Sequence, residues 1–143
     1  KVLPKFFLSF PIEKEHVSKA ILANKNNLNK IIKIVHLEIR NKIKNFLLKN
    51  RNKKFVIIDV PLLLENKINK KNDILVFIQS KQKDILKRLK KRKNFNPKLV
   101  KLFKKIQLPL DYKRKKSHFI IKNNFTNKSV NLNIENILKK INK

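Results

Sequence analysis

The sequence predicts one α/β domain with a parallel sheet, and three features of the chain support that prediction. Its 143 residues suffice for a single domain with a hydrophobic core. Short apolar runs rich in β-branched residues, typical of strands buried on both faces, occur at 55–59, 74–78 and 118–121. Segments with apolar residues at helical spacing separate these runs. Strands that alternate with helices favour a parallel sheet with right-handed crossovers.

Five helices are predicted, mainly from apolar side chains that recur at roughly 3.6-residue spacing. The polar stretch at 23–27 should separate the first two helices, and the first dozen residues show no clear period. Asn96 can cap the fourth helix, and Pro109 should end it. The predicted helices are 13–23, 28–49, 81–92, 97–108 and a C-terminal helix with apolar residues at 134, 137, 138 and 141.

The net charge of +29 at pH 7 raises the hypothesis of a nucleic-acid partner, because clustered cations neutralise phosphates. Only five of the 38 basic residues are arginine, however, and arginine is preferred for two-pronged contacts with phosphates and bases. Lysine is spread along the whole chain beside abundant Asn, Ile and Phe, a bias typical of AT-rich coding sequences. A nucleic acid is therefore a disfavoured partner, and a small basic nucleic-acid-binding protein is kept as the alternative hypothesis.

Several residue types and patterns are absent from the 143 residues. Without cysteine the chain cannot form disulfides or thiolate metal sites, and its three scattered histidines make a zinc site a poor candidate, so no metal-ligating residue is predicted. No apolar run approaches the roughly 20 residues that cross a membrane. No leader pattern opens the chain. The expected location is the cytoplasm, with no membrane partner.

Two of the nine acidic residues lie in the stretch FVIIDVPLLLEN, at 55–66. Ligands of open parallel sheets bind beyond the carboxyl ends of the strands, where Asp59 is expected. An acid on a buried strand costs free energy unless it is paired or faces a ligand. Asp59 is therefore predicted to serve a binding site, with the capping of a neighbouring helix as the alternative. For Glu65, in the loop after Pro61, simple solvation is the alternative.

Arg88 and Arg92 stand four residues apart on the third predicted helix. Like charges at this spacing repel each other by a few tenths of a kcal/mol. Because arginine is scarce in this chain, the pair is predicted to face an anion such as a polyphosphate. The alternative is that both belong to a solvated, lysine-rich helix face.

Four segments, in order, resemble the dephospho-CoA kinase family of P-loop kinases. DVPLLLE, at 59–65, resembles the family signature D-[IV]-P-L-L-F-E, with Leu64 where Phe is usual. Upstream, KIVHLEIR resembles xIVHPxVR, with Leu37 in place of the proline. Downstream, KRLKKR is similar to an xRxxxR segment whose arginines fall on Arg88 and Arg92, although Ile85 stands where a glutamine is frequent.

The fourth segment, QLPLDYKRKKSHFIIKNN at 107–124, resembles QxPxxxKRxxADxVIxNxG. Ser117 and His118 replace its Ala-Asp pair, and Asn124 is assigned to its glycine-like position. The matching residues are Gln107, Lys113, Arg114 and Asn123.

The resemblance implies a P-loop NTPase-like fold, with a three-layer parallel sheet flanked by helices and with helical acceptor and lid segments at about 13–50 and 81–107. It implies ATP-dependent phosphorylation of the 3′-hydroxyl of dephospho-CoA, with Mg²⁺. Arg92 and Arg88 would be catalytic residues on the lid, and Arg92 and Asn123 would bind ATP. The residues implied to bind the acceptor are Asp59, Pro61, Leu62 and Glu65.

The resemblance also implies a glycine-rich phosphate-binding loop, whereas the 143 residues contain no glycine. The chain is therefore expected to be the C-terminal two thirds of such an enzyme and to be inactive by itself. A decayed pseudo-kinase is the alternative.

Overall fold

The computed structural model describes Leu3 and residues 10–142, with Lys25 described by its backbone alone, and in this part of the chain it has six helices and two strands. The helices are α1 (Lys14–Ala23), α2 (Lys25–Lys49), α3 (Gln82–Lys90), α4 (Pro97–Ile106), α5 (Leu110–Lys116) and α6 (Asn127–Ile141). The strands are β1 (Val76–Gln79) and β2 (Phe119–Lys122). The mixed α/β class predicted from the sequence is confirmed.

The chain divides into two compact units. The first contains the described residues up to Ile68 together with Asn96–Lys105, and the second contains Asn69–Phe95 and the residues from Ile106 onward. No helix of the described residues combines the length and the apolar character that crossing a membrane requires.

In the first unit, α1 packs against α2 around a small apolar core. Ala20, Ile21 and Leu28 are buried there. Asn24 separates the two helices and caps the second, because its side-chain oxygen accepts a hydrogen bond of 2.9 Å from the backbone N–H of Asn26. The predicted break between the helices is confirmed, and this cap explains why α2 begins three residues before the first apolar position of its stripe.

The strand predicted at 55–59 is wrong, because residues 55–60 have no regular secondary structure. The side chain of Ile57 is 89% exposed, whereas the prediction required it to be buried. A strand needs a neighbour that accepts and donates backbone hydrogen bonds. Within the described part of the chain, no residue provides such bonds to 55–60. The apolar composition of this segment suits a strand but does not supply its partner.

In the second unit, β1 and β2 form a parallel two-stranded sheet. Val76 is opposite Phe119 at one end, and Gln79 is opposite Lys122 at the other. The strands predicted at 74–78 and 118–121 are thus confirmed, with their starts shifted by two residues and one residue. Ile121 is buried, and α6 packs against β2.

His118 closes the start of this sheet with both its backbone and its side chain. Its backbone N–H donates to the carbonyl of Leu75 at 2.8 Å, and its Nδ1 accepts from the N–H of Leu75 at 2.9 Å. The related family pattern has Asp at this position, and a carboxylate is also an acceptor. The imidazole nitrogen therefore provides the hydrogen-bond acceptor that a carboxylate could provide at this position.

Of the next two helices, α4 was predicted from the sequence and α5 was not. Asn96 caps α4 as predicted, since its Oδ1 accepts from the N–H groups of Lys98 and Leu99 at 2.9 and 3.2 Å. The α4 helix ends at Ile106, and Pro109 precedes the short helix α5, which the sequence analysis missed. Its seven residues contain only two apolar side chains, too few to reveal a helical period.

Candidate functional site

A basic cavity of about 630 Å³ lies in the second unit, between α3 with the turn that follows it and the loop that follows β2. Four cations and one carboxylate line this cavity and give its wall a formal charge of +3 at pH 7. Such a wall attracts anionic ligands. The lining residues are Asp84, Lys87, Arg88, Lys91, Arg92, Asn124 and Phe125.

Arg88 lies over the aromatic ring of Phe125, and both residues line this cavity. Its guanidinium carbon lies 4.5 Å from the centre of the ring, within the distance of a cation–π interaction. In the described part of the chain, no hydrogen bond or ion pair engages the guanidinium itself. The N–H groups at its edge therefore remain for a ligand.

The loop after β2 is held in place by asparagine side chains. The backbone N–H of Asn123 donates to the carbonyl of Gln79 at 2.8 Å, which ties the loop to the end of β1. The Oδ1 of Asn123 accepts from the N–H of Phe125 at 2.8 Å, and the Oδ1 of Asn124 accepts from the N–H and the hydroxyl of Thr126. The turn predicted at Asn123 and Asn124 is therefore confirmed.

Phe125 has a backbone φ of 63°, in the left-handed region that favours glycine. The sequence analysis assigned the glycine-like position of the family pattern to Asn124, and that assignment is wrong. Counted from Gln107, the pattern QxPxxxKRxxADxVIxNxG places its glycine at residue 125, not at Asn124. A non-glycine residue in this conformation costs about 1–2 kcal/mol. Phenylalanine thus occupies a strained position, and its ring contact with Arg88 gives a reason for it.

Arg92 lies outside the helix on which the sequence analysis placed it. Helix α3 ends at Lys90, and Arg92 belongs to the following turn, where its N–H donates to the carbonyl of Leu89 at 3.1 Å. Polar residues and Asn96, which caps the next helix, follow this point in the sequence, so the helical pattern is not continued. Arg88 and Arg92 nevertheless line one cavity, and their contact with an anion stays a prediction.

A second group of predicted site residues lies in the first unit, at the loop 61–67. Asp59 precedes this loop and is exposed; none of the described residues forms a hydrogen bond or an ion pair with its carboxylate. Among the described residues, Asp59 therefore caps no helix. Pro61 is exposed, whereas Leu62 and Glu65 are half-buried.

The loop 61–67 is a compact turn. The N–H of Asn66 donates to the carbonyl of Leu62 at 3.1 Å, and the N–H of Ile68 donates to the carbonyl of Leu63 at 3.1 Å. Two of its residues, Leu62 and Lys67, have positive φ values of 58° and 49°. The turn thus holds its shape without any glycine.

Arg40 connects the loop 61–67 to α2. Its Nη2 donates a hydrogen bond of 2.8 Å to the carbonyl of Asn66. This contact joins the last residue of the KIVHLEIR segment to Asn66, which directly follows DVPLLLE and lies 26 positions further along the chain. The sequence analysis did not name Arg40 as a site residue. Two signals could have identified Arg40: its match to the arginine that ends the pattern xIVHPxVR, and the scarcity of arginine in the chain.

Comparisons with known proteins identify the family of this chain. The model of the family described as dephospho-CoA kinase matches residues 11–129. A dephospho-CoA kinase of Wolbachia pipientis wMel is 28% identical over 144 residues, which cover 99% of this chain and 73% of the relative. A dephospho-CoA kinase of the Wolbachia from Brugia malayi is 31% identical over 85% of this chain, and one of Fusobacterium nucleatum is 30% identical over 91% of it. The chain spans 63% of the length of each of these two relatives.

Proposed function

The chain belongs to the dephospho-CoA kinase family, and from this membership we propose that its protein phosphorylates the 3′-hydroxyl of dephospho-CoA with ATP. The product is coenzyme A, and the reaction is the last step of its biosynthesis. The match of the family model to residues 11–129 carries the proposal. The complete enzyme would have the P-loop NTPase-like three-layer fold that the resemblance implies, and it would act in the cytoplasm.

In the proposed reaction, the ribose 3′-oxygen forms a bond to the γ-phosphorus of ATP while the bond from that phosphorus to the β–γ bridging oxygen breaks. ADP leaves with the electron pair, and the hydroxyl proton passes to water or to a carboxylate. Such a transfer depends mainly on positioning and on stabilisation of charge. A protein needs cations beside the transferred group more than it needs a nucleophile of its own.

Arg88 and Arg92 would supply these cations. Both line the basic cavity, and planar guanidinium groups bind phosphate oxygens in pairs. Arg92 would neutralise the charge that develops on the transferred phosphoryl group, and Arg88 would bind the same polyphosphate. The segment 81–107 would act as a lid that closes over ATP and excludes water.

Asn123 would lie near ATP through the loop after β2. Two neighbours of Asn123, Asn124 and Phe125, line the basic cavity, and its own Oδ1 fixes the N–H of Phe125. The contribution of Asn123 would therefore include the shape of the loop as well as any contact with the nucleotide.

Asp59, Pro61, Leu62 and Glu65 would form the acceptor site for dephospho-CoA. The hydrogen bond from Arg40 to the carbonyl of Asn66 supports this assignment, because it holds the end of the loop against α2. A rigid loop presents an acceptor hydroxyl more precisely than a free one.

Mg²⁺, the expected metal, neutralises charge on the phosphates when it is bound. Among the described residues, no three acidic or histidine side chains are grouped as a complete metal site. This composition is compatible with Mg²⁺, which proteins of this class hold through one or two carboxylates together with substrate phosphates. The exposed carboxylate of Asp59 fits the role of such a single ligand.

The proposal is tested with the complete open reading frame that encodes this chain, purified and incubated with ATP and Mg²⁺. Chromatography should show equal amounts of ADP and coenzyme A when dephospho-CoA is the acceptor. Coenzyme A itself is the matched control acceptor, because its 3′-oxygen already carries a phosphate, and it should yield no ADP above background. ADP formation that is equal with both acceptors would indicate an ATPase and would contradict the proposal.

The nucleic-acid hypothesis predicts a different result with the same protein. Binding to DNA or RNA should then weaken steeply with salt and should not respond to dephospho-CoA. Such binding without any synthesis of coenzyme A would replace the kinase by the nucleic-acid-binding alternative.

A further inference from the structure

We propose that Phe125 is a positioning residue for Arg88 in the phosphoryl transfer. Its ring fixes the plane of the guanidinium at the basic cavity, so that the N–H groups of Arg88 face the polyphosphate of ATP. This inference rests on the proposed kinase function. It adds a residue that the sequence motifs do not contain, since the related pattern has glycine at position 125.

The ring of Phe125 is anchored from the backbone. Hydrogen bonds from the loop to Asn123 and Asn124 hold the residues around it, and Asn123 is itself tied to the end of β1. The backbone of Phe125 has a left-handed φ, which glycine would adopt without strain. A bulky ring at this position indicates that the side chain has a use in the loop.

Stacking on a ring suits the task of presenting an arginine to a phosphate. An arginine on an exposed helix surface loses considerable side-chain entropy when a ligand fixes it. The ring contact at 4.5 Å restricts the guanidinium before the ligand arrives. It engages none of the five N–H donors of the group in a hydrogen bond, so they remain for a phosphate.

No other contact of the described residues performs this task for Arg88. Asp84 lines the same cavity but forms no ion pair within 4.0 Å of the guanidinium. The ring of Phe125 is therefore the group that orients Arg88. Lys87 and Lys91 line the cavity without a ring contact of this kind, so they contribute charge rather than a fixed geometry.

The test is a double-mutant cycle in the complete protein. Phe125→Leu keeps apolar bulk but removes the ring, and it should lower kcat about tenfold with little change in KM for ATP. Arg88→Lys keeps the charge but removes the planar group. In that background, Phe125→Leu should change kcat by less than about twofold, because the partner of the ring is already lost.

Three further variants separate positioning from folding. Phe125→Tyr keeps the ring and should retain wild-type kcat within about twofold. Phe125→Gly relieves the backbone strain, yet it should lose as much kcat as Phe125→Leu without a lower Tm. Tyr112→Leu is the matched control, since it removes a cation–π contact with Lys116 in the same unit but outside the cavity lining, and its kcat should be unchanged.

A spectroscopic measurement tests the contact without any catalysis. The ring current of Phe125 should shift the Nε–H proton resonance of Arg88 upfield, and Phe125→Leu should abolish that shift. The same variant should weaken binding of inorganic tripolyphosphate several-fold, by roughly the entropy cost of one freed side chain.

The outcomes distinguish the two proposals. If the wild-type protein makes no coenzyme A but Phe125→Leu loses the NMR shift and the tripolyphosphate affinity, the kinase proposal fails and the positioning of Arg88 for phosphate stands. If coenzyme A forms normally and Phe125→Leu or Phe125→Gly reacts at the wild-type rate, the role of Phe125 is overturned. Equal losses of kcat from Phe125→Leu in the wild-type and Arg88→Lys backgrounds would also overturn it.

Discussion

Two loops of this molecule each contact an arginine from a helix of the same unit. The type of contact differs between the two loops. The loop 61–67 and the loop after β2 both contain non-glycine residues with positive φ, in a chain that has no glycine. In the first loop, Arg40 donates a hydrogen bond to the backbone carbonyl of Asn66. In the second, Arg88 lies over the ring of Phe125.

The difference lies in what remains for a ligand. Arg40 uses a donor to fix the backbone, so its main effect is on the shape of the loop. Arg88 contacts a ring and forms no side-chain hydrogen bond or ion pair with the described residues, so its N–H donors can still bind an anion. The first arrangement is suited to building an acceptor site and the second to stabilising charge in a reaction. Substitutions in the two loops should therefore affect different kinetic constants.

The largest effect is expected for Arg92→Ala in the complete protein. Loss of the cation that the proposed mechanism places beside the transferred phosphoryl group should lower kcat about a hundredfold, which is about 3 kcal/mol of transition-state stabilisation. Steady-state assays of coenzyme A formation measure this change. Arg51→Ala is the control, because Arg51 is exposed in the turn after α2 and outside the cavity lining, and it should change kcat less than about twofold. A near-normal kcat for Arg92→Ala would remove Arg92 from the mechanism.

A smaller effect, on a different constant, is expected for Arg40→Ala. Without the hydrogen bond to Asn66 the acceptor loop should loosen, so that KM for dephospho-CoA rises about tenfold, close to the value of an exposed charged hydrogen bond. The kcat value should stay within about threefold of wild type. Asn66→Ala provides the control, since the bond uses its backbone carbonyl and survives the substitution. Equal increases of KM in both variants would argue against the role of Arg40.

The elements of this fold that the sequence predicted well are those whose determinants are local. Helix α2 carries a long apolar repeat, and its start follows from the cap at Asn24. The segments 55–59 and 74–78 have similar apolar composition, yet only the second forms a strand. The difference is a partner, because β1 pairs with β2 over 40 residues away in the chain. Composition cannot reveal such a partner.

The residues of the candidate site also fall into two groups, those that the sequence indicated and those that it did not. The scarcity of arginine and the motif spacing drew attention to Arg88 and Arg92, and both line the basic cavity. Their role at that cavity stays a prediction. Phe125 was missed, because its contact with Arg88 spans 37 positions and because the glycine of the family pattern was assigned to Asn124. A correct count to the glycine of the family pattern would have drawn attention to residue 125. An unusual residue at a position that needs positive φ is a signal that sequence alone can provide.

The smallest expected effect is on the free energy of unfolding. It tests whether positive φ costs stability at Lys67, where no side-chain contact like that of Phe125 offsets the backbone strain. Lys67 is exposed and has a φ of 49°, and its side chain forms no hydrogen bond, ion pair or ring contact with the described residues that could offset its strain. Lys67→Gly should therefore raise the free energy of unfolding by up to about 1 kcal/mol, the strain relieved minus the entropy that glycine adds to the unfolded chain. Lys71→Gly, at an exposed turn residue without positive φ, should lower it by about 0.5–1 kcal/mol. Urea denaturation measures both values. A loss of stability in Lys67→Gly equal to that in Lys71→Gly would show that the left-handed backbone at Lys67 costs nothing, and the strain argument for Phe125 would then lose its basis.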